Sequence, residues 1–128
     1  MIYLDTSVAL AHLLSEDRRP PDALWSEAVV SSRLLAYELW TRLHARSLAA
    51  THGDAASEML ARITMIELEP PALARALEPF PVPVRTLDAL HLASICFLVG
   101  LKQDVALASY DERMTAAAIA LGVAIYPA

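Results

Sequence analysis

Four acidic residues stand where carboxylates can do chemistry: Asp5 directly after I-Y-L, Glu38 inside A-Y-E-L-W-T-R, Asp88 in R-T-L-D-A-L-H-L-A and Asp111 in L-A-S-Y-D-E-R-M. A parallel α/β fold would bring them together. Carboxylates packed within a few ångströms repel one another, and they stay ionised together only when a cation such as Mg²⁺ or Mn²⁺ neutralises the cluster. The chemistry natural to such a centre is phosphodiester hydrolysis.

Each acid also has an ordinary explanation when taken singly. Asp5 or Asp111 could cap the helix that follows, Asp88 could complement a helix dipole, and Glu38 could pair with Arg42 at i,i+4. The joint pattern is more specific, with two acids at strand ends and two on helices, each set in apolar sequence. Thr6, Ser7 and Ser109 carry hydroxyls that could orient a water or a phosphate, or cap helices instead. His91, one turn after Asp88, reads as a packed or hydrogen-bonded histidine. Asp17, Asp104 and Glu112 read as solvated acids, with Glu112 the best substitute should Asp111 fail. Trp25 and Trp40 read as core or subunit contacts. His12, His44, His52 and His91 show no paired zinc spacing, and the single Cys96 reads as a small core residue, so oxygen ligands for a hard cation are the metal chemistry on offer.

The elements that must position these residues follow from the hydrophobic pattern. Ile2 to Leu4 is an apolar run ending at Asp5, with Thr6 and Ser7 starting a helix. Pro20 and Pro21 open a short helix through Trp25 and Glu27, and Ala28 to Ser31 reads as a second strand. Ser32 then caps a long helix from about Arg33 to Ala50, broken at His52 and Gly53. A further helix runs to about Thr64, Met65 to Leu68 is a third strand, and Pro70 with Pro71 starts a helix ending near Pro79. After the extended P-V-P-V segment, Thr86 caps a helix to Leu98 or Val99 that Gly100 stops. Val105 to Ala108 is a buried strand, Glu112 to Leu121 a helix ended by Gly122, and Val123 to Tyr126 a last strand. Strands alternating with helices predict a parallel sheet covered on both faces, whose ligands bind beyond the carboxyl ends of the strands. Asp5 and Asp111 fall on that edge.

With 128 residues, 56% of them hydrophobic, the chain is expected to form one domain over 1–128 with a well-filled core. The start lacks a basic leader, and the longest apolar run, Ala89 to Leu101, is too short to span a bilayer, so a soluble, cytoplasmic protein with no membrane partner is expected. A net charge of −5 argues against a long electrostatic track for nucleic acid, but much of it resides in the four candidate ligands. Arg18, Arg19, Arg33, Arg42, Arg46 and Arg85 could still make short local contacts or form a solvated face.

These residues resemble those of the PIN-domain ribonucleases, most closely the VapC toxins of toxin–antitoxin pairs, across essentially the whole chain. I-Y-L-D-T-S is similar to the first motif of the family, Y-E-L-W-T-R to its helical glutamate motif, T-L-D-A-L-H-L-A to the third, and S-Y-D-E-R-M followed by A-A-A-I-A-L-G-V to the last. The resemblance implies a three-layer α/β/α sandwich with a five-stranded parallel sheet, and a Mg²⁺- or Mn²⁺-dependent endoribonuclease. On it Asp5, Glu38, Asp88 and Asp111 are the catalytic, metal-binding acids, with Ser109 at a position where a threonine or serine stands beside the site. It further implies an RNA substrate, a VapB-type antitoxin and a homodimer. The proline-rich stretch from Pro70 to Pro83 departs from the pattern.

Two rivals carry different chemistry. An aspartate-nucleophile phosphatase would use Asp5, but that pattern wants a second aspartate two residues on, where Ser7 stands. A non-catalytic interaction module would keep the fold and bind a partner through its apolar helices, which leaves four intact acids without a purpose.

Overall fold

The computed structural model describes Met1–Ala128. Its elements run β1 (Ile2–Leu4), α1 (Thr6–Leu13), a 3-10 turn (Asp22–Ser26), β2 (Val29–Ser32), α2 (Leu34–Ala45), α3 (Ala49–Ala61), β3 (Thr64–Ile66), α4 (Pro70–Ala76), α5 (Thr86–Gly100), β4 (Ala106–Ala108), α6 (Glu112–Ala120) and β5 (Ala124–Ile125). The five strands form one sheet in the order β3-β2-β1-β4-β5, and every pairing is parallel.

Alternation along β1 separates two cores. Ile2 and Leu4 join Val8, Leu35, Leu39, Leu43 and Met59 under α1 to α3, whereas Tyr3 joins Leu92, Ile95, Leu107 and Met114 under α5 and α6. Because successive side chains of a strand point to opposite faces, the three residues of β1 tie both helical layers to one sheet. The result is a three-layer α/β/α sandwich. No helix is long and apolar enough to cross a membrane.

Several local expectations need correction. The long helix expected to reach Ala50 ends at Ala45, and the break falls at Ser47, whose φ is 55°, with the Leu48 amide closing back on the Leu43 carbonyl at 2.8 Å. A non-glycine residue in the left-handed region gives no compositional signal. His52 and Gly53 lie inside α3 instead, where a Cβ on Gly53 would stand 3.1 Å from Trp40 Cη2, so this glycine permits close helix packing. Ser32 does accept the Leu34 amide at 3.2 Å at the start of α2. The segment after Pro21 is a 3-10 turn. The α5 helix includes Gly100, and the chain turns at Lys102 with φ of 64°, whereas Gly122, with φ of 79°, does end α6. Cys96 is half-buried, and burial raises its thiol pKa, which keeps it protonated and unreactive.

Register decides what reaches the carboxyl edge. Leu4 pairs with Ala108, and the Asp5 amide donates to the Ala108 carbonyl at 3.0 Å, so Asp5 and Ser109 leave the sheet side by side.

Candidate active site

Asp5 is buried at the end of β1, and its Oδ2 accepts two hydroxyl hydrogen bonds, from Ser7 at 2.6 Å and from Ser109 at 2.8 Å. Each serine is itself held by the backbone. Ser7 Oγ accepts from the Tyr110 amide at 2.9 Å, and Ser109 Oγ accepts from the Asp111 amide at 3.0 Å. The two hydroxyls therefore stitch β1 to the β4–α6 connection. Thr6, also buried, has a hydroxyl with no hydrogen-bond partner.

Asp111 caps α6, its Oδ1 accepting from the Arg113 and Met114 amides at 2.9 and 3.1 Å. The structural explanation therefore applies to Asp111, yet it leaves Oδ2 uncommitted on a side chain that is only part-buried. With Asp88, in the first turn of α5, Asp111 lines an open concavity of about 320 Å³ completed by Arg85, Glu112 and Arg113.

The Asp88 pKa is raised, first by burial and then by the negative charges of Asp111 and Asp5, with Glu38 adding to the same effect and His91 opposing it. A carboxylate in the first turn gains about 0.3–1 kcal/mol from the helix dipole. The upward direction shows that desolvation and like charge outweigh that benefit. Asp88 thus feels the other three acids as an uncompensated negative field.

Glu38 faces the centre from α2, and the ordinary alternative for it, a pairing with Arg42, is not what forms. His91 Nε2 hydrogen-bonds Glu38 Oε1, while Arg42 is exposed and makes no ion pair. Magnitude explains the choice: an exposed i,i+4 pair brings ~0.2–0.5 kcal/mol, but a partly buried hydrogen bond to a charged group is worth ~1.5–3 kcal/mol. Glu38 and Arg42 line a smaller concavity of about 220 Å³ with Tyr37, Thr41 and Leu87, the residue before Asp88. His91 is fully buried and hydrogen-bonded, and its service to Glu38 was hidden by a separation of 53 positions. The remaining expected residues are scattered. Arg33 pairs with Glu67 on the surface, and Arg18 lies over the Tyr110 ring at 4.2 Å. Trp25 and Trp40 pack against the α1–α3 core.

No three histidine, cysteine, aspartate or glutamate side chains form a ready-made cage for a metal. The donor chemistry still fits a hard cation. Every acid offers oxygen, Asp88 is destabilised by charge that a cation would relieve, and Mg²⁺ commonly binds through one or two carboxylates while keeping waters and taking substrate phosphates.

This chain belongs to the PIN-domain family, whose family model matches residues 2–120. Ribonuclease VapC35 of Mycobacterium tuberculosis, the same in strains CDC 1551 / Oshkosh and ATCC 25618 / H37Rv, is 30% identical over 129 residues, spanning 98% of this chain and 95% of the relative. The crystal structure of Mycobacterium tuberculosis VapC20, described as a sarcin-ricin loop cleaving toxin, shares the fold with a TM-score of 0.69 at 20% identity, covering 91% of this chain and 95% of that one.

Proposed function

We propose that the protein is a Mg²⁺- or Mn²⁺-dependent endoribonuclease, the toxin of a type II toxin–antitoxin pair, with Asp5, Glu38, Asp88 and Asp111 as its metal-binding and catalytic acids. The observation that carries this reading is geometric: Asp88 and Asp111 line one concavity, and Ser109 bridges the Asp5 carboxylate to the Asp111 amide beside it. Kinship with the VapC35 ribonuclease over nearly the full chain supports the reaction class and the RNA substrate.

A divalent ion bound there would activate water and offset the charge that develops on the phosphate being cleaved. The chain's own residues supply the rest. Ser7 and Ser109 hold Asp5 Oδ2 and leave Oδ1 to face a ligand, the α6 amides hold Asp111 Oδ1, and His91 holds Glu38. Arg85 and Arg113, beside Asp88 and Asp111, are placed to attract the phosphate backbone, and Arg42 lies on the Glu38 side.

A VapB-type antitoxin, a cytoplasmic setting and a homodimer complete the proposal. The rivals gain no support: Ser7, standing where the phosphatase needs a second aspartate, hydrogen-bonds the carboxylate that would be the nucleophile. Calorimetric titration of Mn²⁺ into the protein tests the reading. Binding that disappears in both Asp5→Asn and Asp88→Asn supports it, and no binding to the wild type supports the non-catalytic module instead.

A further inference from the structure

Tyr3 and His91 are the largest polar side chains in the core beneath α5, each with no exposed surface. They touch. Tyr3 Oη lies 2.7 Å from His91 Nδ1, the rings meet edge to face with centroids 5.7 Å apart, and the Ser32 amide donates to Tyr3 Oη at 3.1 Å. At the other side of the imidazole, Nε2 meets Glu38 Oε1. An unbroken line of polar contacts therefore runs from the backbone of β2, through β1 and α5, to a carboxylate on α2.

We propose that Tyr3 and His91 are a buried positioning pair that locks the imidazole with its proton on Nε2 and thereby anchors one oxygen of Glu38, leaving the other turned to the acidic centre. For a neutral imidazole beside a carboxylate, the partners give one order of protons. A tyrosine hydroxyl keeps its proton at neutral pH, and the oxygen of Tyr3 already accepts from the Ser32 amide. Its hydrogen is then available for His91 Nδ1, which must accept, and the ring hydrogen stands on Nε2 and donates to Glu38. Such outer contacts orient the groups that hold a cation. A glutamate has several rotatable bonds, and Arg42 one turn away is the competing partner, so Glu38 without His91 is free to turn from Asp88 toward solvent.

The proposal rests on the metal-dependent nuclease reading for its affinity and kinetic readouts, and the imidazole spectra are independent of it. Imidazole ¹⁵N spectra of the metal-free protein at neutral pH should place the His91 proton on Nε2 in the wild type and show a mixed tautomer in Tyr3→Phe. In Mn²⁺ titrations and RNA cleavage, folded Tyr3→Phe should lose about tenfold in Mn²⁺ affinity and in kcat with KM nearly unchanged. His91→Phe should lose more, and His91→Gln, whose amide N–H can take the place of Nε2–H, should recover part of that loss. A wild-type proton on Nδ1, or a folded His91→Phe with wild-type Mn²⁺ affinity, would overturn the proposal. A wild type that binds Mn²⁺ but cleaves no RNA would refute the nuclease reading instead, and the spectra and affinities would still decide the pairing.

Discussion

Asp5 and Asp88 occupy the same edge of the sheet under opposite constraints, and their asparagine variants should behave differently. Asp5 is held by two serine hydroxyls, and asparagine keeps an oxygen to accept from them. Asp5→Asn should remain folded by circular dichroism and lose metal-dependent RNA cleavage by at least about a hundredfold, measured on end-labelled RNA. Asp88 is the acid whose charged form the fold disfavours. A carboxyl whose folded pKa exceeds its unfolded value binds more protons when folded, so stability falls as pH rises through the window above the ordinary aspartate value. Asp88→Asn should therefore raise the Tm of the metal-free protein at pH 7 by roughly a few degrees. The gain should vanish below about pH 3, a unit under the ordinary aspartate value, where the side chain is largely neutral in both states; a gain independent of pH would contradict this account. The acids at strand ends were legible because an apolar run followed by an aspartate marks the carboxyl edge of a sheet. The Glu38–His91 pairing was not, since it depends on how two distant helices approach each other.

At the scale of elements, α2 and α3 form a hairpin whose turn was misplaced for a physical reason. Gly53 reads as a breaker, yet it sits mid-helix where the Trp40 ring leaves little room for a side chain, and Ser47 makes the turn at a positive φ. Two opposed effects act on substitution there. Alanine gains about 1 kcal/mol of helix propensity and loses part of it as Trp40 shifts, so Gly53→Ala should be nearly neutral. Gly53→Val adds branching at the same point and should lower stability by roughly 1–3 kcal/mol in urea unfolding. If valine were as stable as glycine, the close approach of α2 and α3 would not be what this position serves. Strand existence and order of elements were readable from apolar runs because the sheet is covered on both faces, while element ends shifted by a few residues where no glycine or proline marked them.

For the whole molecule, the proline-rich departure becomes a surface feature. Pro79 to Val84 runs beside α4 and the start of α5, opening an apolar groove of about 770 Å³ lined by Leu73, Leu77, Phe80, Val82 and Leu90, with Leu77 90% exposed. An exposed apolar patch of this kind suits a protein contact, and the proposed homodimer is the partner it would serve. Leu77→Lys should shift sedimentation toward the monomer without lowering Tm, because so exposed a side chain contributes little to the core. A variant that sediments like the wild type would move the dimer contact elsewhere.

Whether a carboxylate centre at the sheet edge cleaves RNA with a divalent cation is decided by one assay. Purified wild type and Asp5→Asn are incubated with the same RNA in Mn²⁺ and again after chelation, and the fragment ends are sequenced. The wild type should make internal cuts at defined sites only when Mn²⁺ is present, and Asp5→Asn should make none. Equal cutting by both proteins, or cutting that survives removal of the metal, would contradict that chemistry.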